Sequence, residues 1–541
     1  MLGRLYLFGA VWLLLGSSDL NAQSLQWAHH FGGQEWDISS AIVVDDSGYV
    51  YATGTFKGTV DFDPGPSSQI LTAQGTADGF VCKFNRLGEL VWVGHLEGDG
   101  AQDCHALATD HQGNILVAGF FLGQTDFDPS AGTHQLISSP GGDAFIWKLN
   151  AAGQLVWAKQ FTGTLAITAY GVAVDDSGDV YSTGFFDGTA DFDPGPGQVL
   201  RTVAGYSDAF VAKLDADGNH QWVQLFAGNY GEVGHAIVLD QQGNVFTTGT
   251  FFGTADFDPG PNLFQLHAPG DQEIFLCKLD ANGEFQWAQS LGGDVGMALL
   301  VDDSANVYTT GYFGWDDIQI FKFDNNGSLL WTKQIGAFFG NDLAMGSDGS
   351  VYIAGQFFDT RDFDPGPGQV FLTAIGSTDS YILKLSPGGG FDWVMQFGGM
   401  NEVKAVSLAI DDQEQLYLAG TFDSTADFDP GPGSVPLTSN GSYDIFLTRL
   451  SAVPQTVFQP EKQQSAVVYP NPVSGRLWVR FPVEQQQVQI RLMNLEGKTL
   501  EEWTKRKIQE AAFPVTQPSG IYLLEIVTEE HARTVQRVVV P

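Results

Sequence analysis

The sequence predicts an all-β chain: a seven-bladed β-propeller followed by a small Ig-like β-sandwich. Three observations carry that prediction. Tryptophan recurs at Trp27, Trp92, Trp157, Trp222, Trp287, Trp331 and Trp393, at intervals of 65, 65, 65, 65, 44 and 62 residues. A turn-and-strand marker recurs seven times, as in DDSGYVYATG from Asp45 and DDSGDVYSTG from Asp175. An acid also stands five residues before a base seven times, from Asp78/Lys83 to Asp444/Arg449. A repeat of about 65 residues with four short strands suits a propeller blade better than a solenoid coil, which is usually shorter.

The strands follow in order within each unit. A first apolar strand such as Ala173-Val174 ends at an Asp/Ser/Gly turn, where Asp caps the bend and Gly accepts positive φ. The second strand, Val180 to Phe186, precedes a long loop. The third, Asp208 to Leu214, turns through Asp-Ala-Asp-Gly into the fourth, which carries Trp222. A mid-strand glycine, such as Gly184, is costly unless a backbone approaches closely or a bulge is needed, and the crowded packing between blades is the expected place. The acid and base point to opposite faces of one strand, so pairing between neighbouring blades is expected.

Closure is also readable. Residues 25–32, around Trp27, form a fourth strand with no strands before it, and the last repeat ends after three strands at Arg449. The N-terminal segment is therefore expected to complete the last blade and remove the open edges. The fifth unit, around Val307 to Asp317, lacks the long loop between its second and third strands. That loop reads as decoration on the scaffold, and decorated loops are where function tends to lie.

Organisation along the 541 residues follows. Residues 1–22 read as a signal peptide, with Arg4, an apolar run from Leu5 to Gly16, and a small/polar stretch to Ala22. That run of twelve is too short to span a bilayer, and no later segment is expected to cross as a helix. The propeller occupies 23–450, a Pro/Gln-containing linker 451–465 and the sandwich 466–541. The formal charge is −38, yet residues 465–541 hold nine Lys/Arg against eight Asp/Glu, so the negative charge lies upstream. Such a surface repels phosphates and argues against nucleic acid as a partner. Three cysteines, Cys82, Cys104 and Cys277, make no disulfide scaffold. Cys82 and Cys277 share one repeat position with Trp147, Ala212 and Leu383, which marks it as a packing position.

These motifs resemble the bacterial β-propeller repeats known as SBBP repeats, whose units look like D-x-x-G-N-V-Y-x-T-G; the resemblance covers 25–450. Beyond the linker, Tyr469-Pro470-Asn471-Pro472, Asn494-Leu495-Glu496-Gly497-Lys498, Gly520-Ile521-Tyr522-Leu523-Leu524 and a basic last strand resemble the type A C-terminal sorting domain of the type IX secretion system. That resemblance implies export through the periplasm, partnership with the secretion machinery, removal of the domain, and release or attachment to surface lipopolysaccharide.

The recurrent polar constellation is the DFDPGP loop: Asp61/Asp63, Asp126/Asp128, Asp191/Asp193, Asp256/Asp258, Asp362/Asp364 and Asp427/Asp429. Two carboxylates roughly 6.6 Å apart on one side of an extended segment, with turn carbonyls, make a candidate calcium shell. Alternatively one Asp caps its own turn and Phe62 plugs a blade. No catalytic set or zinc spacing stands out. The double-Phe segments Phe120-Phe121, Phe185-Phe186 and Phe251-Phe252 offer rings for stacking on sugars or for the core. The expected function is non-enzymatic binding of extracellular glycan or protein; a polysaccharide-active enzyme and a purely structural surface protein are the alternatives.

Overall fold

The computed structural model describes residues 25–451 apart from 271, 315, 316 and 432, and residues 467–540 apart from 470–474, 495–497 and 529–532. The signal segment, nearly all of the linker, and parts of the YPNP and NLEGK motifs lie outside the described residues.

The third unit shows how the sequence makes a blade. Its strands Ile167–Val174, Val180–Asp191, Leu200–Leu214 and His220–Gly228 pair antiparallel in chain order. The first turn is closed by Asp175, whose Oδ1 accepts from the amides of Ser177 (2.9 Å) and Asp179 (3.0 Å). Gly178, at φ 84°, supplies the left-handed residue that closes this turn. Asp215 and Gly218 repeat the arrangement between the third and fourth strands.

Gly184 corrects one expectation. A side chain there would overlap the carbonyl of Thr168, in the first strand of the same unit. That strand slips register between Ala169 and Gly171, so a bulge drives its backbone into the second strand. The crowding lies within each blade, not between blades.

Seven four-stranded units arise in this way. Their first strands, including Ile38–Val44, Gln102–Thr109 and Ile167–Val174, lie side by side, and the last, Val403–Ile410, lies beside the first. Leu25–Phe31 pairs antiparallel with Asp444–Leu450, with Ala28 opposite Thr448 and Phe31 opposite Ile445. Near this closure, Asp342 stands where five other units have alanine or glycine and the seventh has Ser407. It accepts from the Ser407 hydroxyl (2.7 Å) and the Leu408 amide (2.8 Å), while Ser407 Oγ accepts from the Ile42 amide (3.1 Å). One carboxyl thus ties the sixth unit to the seventh, and its serine partner ties the seventh to the first.

Desolvation pushes the carboxyls of Asp37, Asp342 and Asp379 up to about 6. The unfolded chain titrates these groups near 3.9, so the folded state holds their protons more tightly. Their stabilising contribution is full below about pH 4 and is lost as pH rises through about 6. Self-repulsion of the acidic chain acts in the same direction. The midpoint of thermal unfolding in chelator should fall by on the order of 5 °C between pH 4 and 7, and Asp342→Asn should flatten part of that fall. A midpoint that rises over this range would refute the account.

The C-terminal strands are Val467–Tyr469, Arg476–Met493, Thr499–Pro514, Gly520–Thr528 and Arg533–Val540, all antiparallel. Arg476–Met493 pairs with Thr499–Pro514 along both its halves and with Gly520–Thr528 along its second half. Leu477, Val479, Ile490, Leu492, Phe513, Leu524 and Ile526 form the core of these strands. Among the described residues no helix is long and apolar enough to cross a membrane.

Candidate functional site

The DFDPGP loops are inter-blade clasps. In the third unit, Ala190 and Asp191 pair with Gly163 and Thr162, at the end of the second unit's outer strand. The same step joins Asp126 to Glu97, Asp256 to Ala227 and Asp427 to Gly398, while the Gly336 amide donates to the Asp362 carbonyl (2.9 Å). The phenylalanine between the acids is driven inward: Phe62, Phe127, Phe192, Phe257, Phe363 and Phe428 are all fully buried. Phe192 lies 5.3 Å from Phe161 of the second unit and 5.1 Å from Phe210 of its own. The loop is therefore part of the core joining two blades. Reading it as mere decoration was wrong, because a loop that one unit can lose still bridges its neighbours elsewhere.

The acids hold the clasp in shape. Asp61 Oδ1 accepts from the amides of Asp63 (3.2 Å) and Gln69 (2.8 Å), and Asp63 Oδ1 from Gly65 (2.7 Å). In the fourth unit Asp256 Oδ1 accepts from Asp258 N (3.2 Å) and Phe264 N (2.8 Å), and Asp258 Oδ1 accepts from the Gly260 amide (2.8 Å). In the seventh, Asp427 Oδ1 accepts from Asp429 N (3.1 Å) and Val435 N (2.9 Å), and Asp429 Oδ1 accepts from the Gly431 amide (2.7 Å). Asp126 and Asp128, Asp191 and Asp193, and Asp362 and Asp364 repeat this pattern, with Ser130 in the place of the glycine in the second unit.

In this geometry the loop acids bond the backbone of their own hairpins. Among the described residues no group of three or more His, Cys, Asp or Glu is arranged to hold a metal. Asp61, Asp126, Asp191, Asp256, Asp362 and Asp427 instead span the hairpin with two amide bonds each. Asp63, Asp128, Asp193, Asp258, Asp364 and Asp429 each cap the turn two residues ahead. The two acids of a pair thus serve different amides. The physical reason is local: a carboxylate beside a Pro-Gly turn meets its own loop's amides before it can meet a second loop.

The acid and base of the third strand have separate partners, which replaces the expected pairing between neighbouring blades. Asp78 accepts from the Gln74 amide (3.0 Å) and meets His95 (2.7 Å); Asp143 accepts from Ser139 N (3.0 Å) and Gln160 (2.9 Å). These acids cap the end of the preceding loop. The bases turn to the opposite end: Lys148 meets Asp110 (3.3 Å), Lys213 meets Asp179 (2.9 Å), and Lys83 reaches the Ala151 carbonyl of the next unit (3.0 Å). Between them Tyr181 is sandwiched by Lys213 (4.8 Å) and Trp222 (6.0 Å). Trp157 Nε1 donates to the Ala216 carbonyl of the next unit (3.0 Å), and Trp27 and Trp92 do likewise with Arg86 and Ala151. With Trp287, which donates to the Asn325 carbonyl (3.0 Å), four of the recurrent tryptophans stitch one blade to the next, whereas Trp331 Nε1 has no hydrogen-bond partner. Cys82, Cys104 and Cys277 are buried free thiols, and burial pushes Cys104 up to about 12, which suits packing.

Unit five breaks the pattern, and concave surface opens on both sides of it. A cleft of about 510 Å³ is lined by Gly270, Gln272, Glu273, Gly293 and Asp294. A second, of about 410 Å³, is lined by residues that include Asp317, Gln334, Arg361 and Asp364. Tyr312, whose hydroxyl pKa is raised by desolvation and the Asp294 charge, lies 5.2 Å from Phe338 and 5.3 Å from Phe339. Phe338 continues to Phe358 at 5.0 Å, and the Arg361 guanidinium lies 4.7 Å over the Phe358 ring. These half-buried rings run from beside Asp294, which lines the first cleft, to Arg361, which lines the second. The sequence reading missed them; the signal was GAFFG after Ile335 and FFDTRD from Phe357, whose Asp359 and Arg361 depart from the FFGTAD of the fourth unit. Of the double-Phe segments, Phe121, Phe186 and Phe251 are core residues, whereas Phe120, Phe185 and Phe252 are half-buried.

Comparison with known proteins agrees with this architecture. Residues 156–184 match the family model of a β-propeller repeat, and 467–541 match that of the secretion system C-terminal sorting domain. The chain is thus an all-β propeller protein with a segment similar to the SBBP repeat and a C-terminal type IX sorting domain. That domain marks it for secretion or display at the cell surface through the type IX machinery. An uncharacterized WD repeat-containing protein of Acanthamoeba polyphaga mimivirus is 21% identical over 508 residues, which cover 80% of this chain and 33% of the relative. The chain thus spans about a third of that relative's length. Among solved structures, Sqt1 from Chaetomium thermophilum is 12% identical at a TM-score of 0.40, covering 85% of this chain and 97% of that one. The Dos1 propeller is 8% identical at 0.39, covering 79% and 95%.

Proposed function

We propose that the exported chain is a non-enzymatic propeller that binds extracellular glycan at the face around its fifth unit. The observation that carries this reading is the aromatic run Tyr312, Phe338, Phe339 and Phe358 between two polar clefts, at the place where the repeat is broken. Sugar rings present apolar faces that stack on aromatic side chains and hydroxyls that bond to carboxylates, amides and guanidinium groups. Glu273, Asp294, Asp317, Gln334 and Arg361 supply those polar groups. In this reading the chain crosses the periplasm, loses its sorting domain and is released or attached to surface lipopolysaccharide. The clasps serve the ring and not the ligand.

The test is a glycan array probed with the exported protein, followed by titration of any hit. Wild type should bind a defined set of glycans, and Phe338→Ala with Phe358→Ala should weaken binding at least about tenfold, a loss of about 1.4 kcal/mol. Binding unchanged by both substitutions would refute this site. Recovery of the bound glycan in cleaved form would instead favour an enzyme using the carboxylates of the clefts. An empty array together with a hit on a surface-protein panel would favour protein recognition.

A further inference from the structure

The ring carries an unexplained pair of acids between its third and fourth units. Asp208, at the start of a third strand, and Glu232, at the start of the next unit's first strand, are 1% and 0% exposed. Asp208 accepts from the Ala204 amide (3.1 Å), but its Oδ1 and both oxygens of Glu232 have no hydrogen-bond partner. The Gly228 amide faces both carboxyls without meeting hydrogen-bond geometry at Glu232, and the Gly205 amide also faces Asp208. An ionised carboxylate buried without a partner is among the costliest arrangements in a protein.

The other seams show what this place usually holds. Opposite Asp78 stands Gln102, whose amide nitrogen donates to Asp78 (3.1 Å) and whose oxygen accepts from Thr125 (3.1 Å). Opposite Asp143, Asp317 and Asp379 stand Ile167, Phe338 and Val403. A donor or an apolar group thus faces the acid at four seams, while Asp294 at the fourth-to-fifth seam shares an open cleft with Glu273. At the closing seam an acid, Asp37, does neighbour Asp444, but its two oxygens are engaged by the amides of Gly33 (2.6 Å) and Lys57 (3.0 Å), and His30 lies 3.9 Å from Asp444. Glu232 replaces the donor with an acceptor that no amide engages, and Ala255 replaces the threonine. Gly228 sits against both oxygen and a methyl: a side chain at that glycine would overlap Glu232 Oε1, sit 2.8 Å from the Thr254 carbonyl oxygen and 3.1 Å from Ala255 Cβ.

We propose that this seam binds one divalent cation of the calcium type through Asp208, Glu232 and the Thr254 carbonyl, tying the third unit to the fourth. One proton shared by the two acids would engage two of the three unpartnered oxygens; a hard cation takes all three and a main-chain carbonyl. Extracellular protein modules bind calcium at roughly 0.1–1 mM, a range that suits an exported chain.

The experiment is thermal unfolding of the full exported chain in calcium at about 1 mM and in chelator, for wild type, Glu232→Gln and Asp193→Asn. Calcium should raise the wild-type midpoint by about 3 °C. Glu232→Gln recreates the Gln102–Asp78 bond, so in chelator it should melt above wild type and show no response to calcium. Asp193→Asn alters a clasp acid and should keep the calcium response. A wild type indifferent to calcium while Glu232→Gln is stabilised would mean that the acids share a proton, and would overturn the proposal. A calcium response retained by Glu232→Gln would also overturn it and return the metal to the clasps.

Discussion

Deleting Leu25–Phe31 should abolish cooperative unfolding of the propeller. The segment contributes a full outer strand, paired from Ala28 opposite Thr448 to Phe31 opposite Ile445. Phe31 is 2% exposed and lies 5.4 Å from the Phe62 clasp of the first unit, and Trp27 Nε1 donates to the Arg86 carbonyl (3.1 Å). The strand therefore holds the seventh unit together and fastens it to the first. Losing one such buried phenylalanine costs about 3–5 kcal/mol, against a total folding stability of only about 5–15 kcal/mol. The deletion also leaves Asp444–Leu450 as a free edge, which invites pairing with another chain. Light scattering should find aggregates or strand-exchanged dimers, and a synthetic peptide of residues 25–33 added in trans should restore the monomer. A truncated chain that stays monomeric with an unchanged melting curve would show that the ring does not depend on this strand.

The strands and turns were legible in the sequence because their chemistry is local. Asp175 bonds amides two and four residues ahead, and Gly178 supplies the positive φ, so DDSGD carries its own turn. The mid-strand glycines were visible as a pattern, but their cause was not, since the bulge beside Gly184 lies in a strand whose own residues are ordinary. The clasps were harder still. Asp191 pairs with Thr162, 29 positions earlier and in another unit, and no short motif records such a contact. The partners of their paired acids were not legible because spacing alone does not show which amides lie nearer: Asp258 and Asp429 each find one two residues ahead. A correlated loss does record the clasp. The third strand places Phe80, Phe145, Phe210, Phe275, Tyr381 or Phe446 where the fifth unit has Gln319, and the fifth is the unit without the loop. Plug and socket disappear together. Glu232 was invisible for the opposite reason. Its repeat position holds Asp37, Gln102, Ile167, Asp294, Phe338 and Val403 elsewhere, so nothing marks the acid as unusual until Asp208 is seen across the seam.

The clasp makes a second large effect predictable. Phe192→Ala should cost about 3–5 kcal/mol in urea unfolding of the propeller, because the ring is fully buried among Phe161, Phe186 and Phe210 and the hairpin that carries it is fixed at its ends. The surrounding blades have little freedom to collapse into the space: Gly184 already touches backbone, and Ala190 is held in the ladder to Gly163. Asp193→Ala should cost only about 1 kcal/mol, since it removes one bond to the Gly195 amide (2.8 Å) at an exposed turn. The ratio of the two effects distinguishes the roles of the motif. If Asp193→Ala were as damaging as Phe192→Ala, the acids would be holding something beyond their own turn. If Phe192→Ala were nearly neutral, the loop would be an appendage and the blades would be joined by the tryptophan stitches alone. The fifth unit makes the first pattern the physical expectation. Where the clasp is absent, the phenylalanine floor beneath it is absent too, so what the repeat keeps or loses as one piece is the buried ring and its socket.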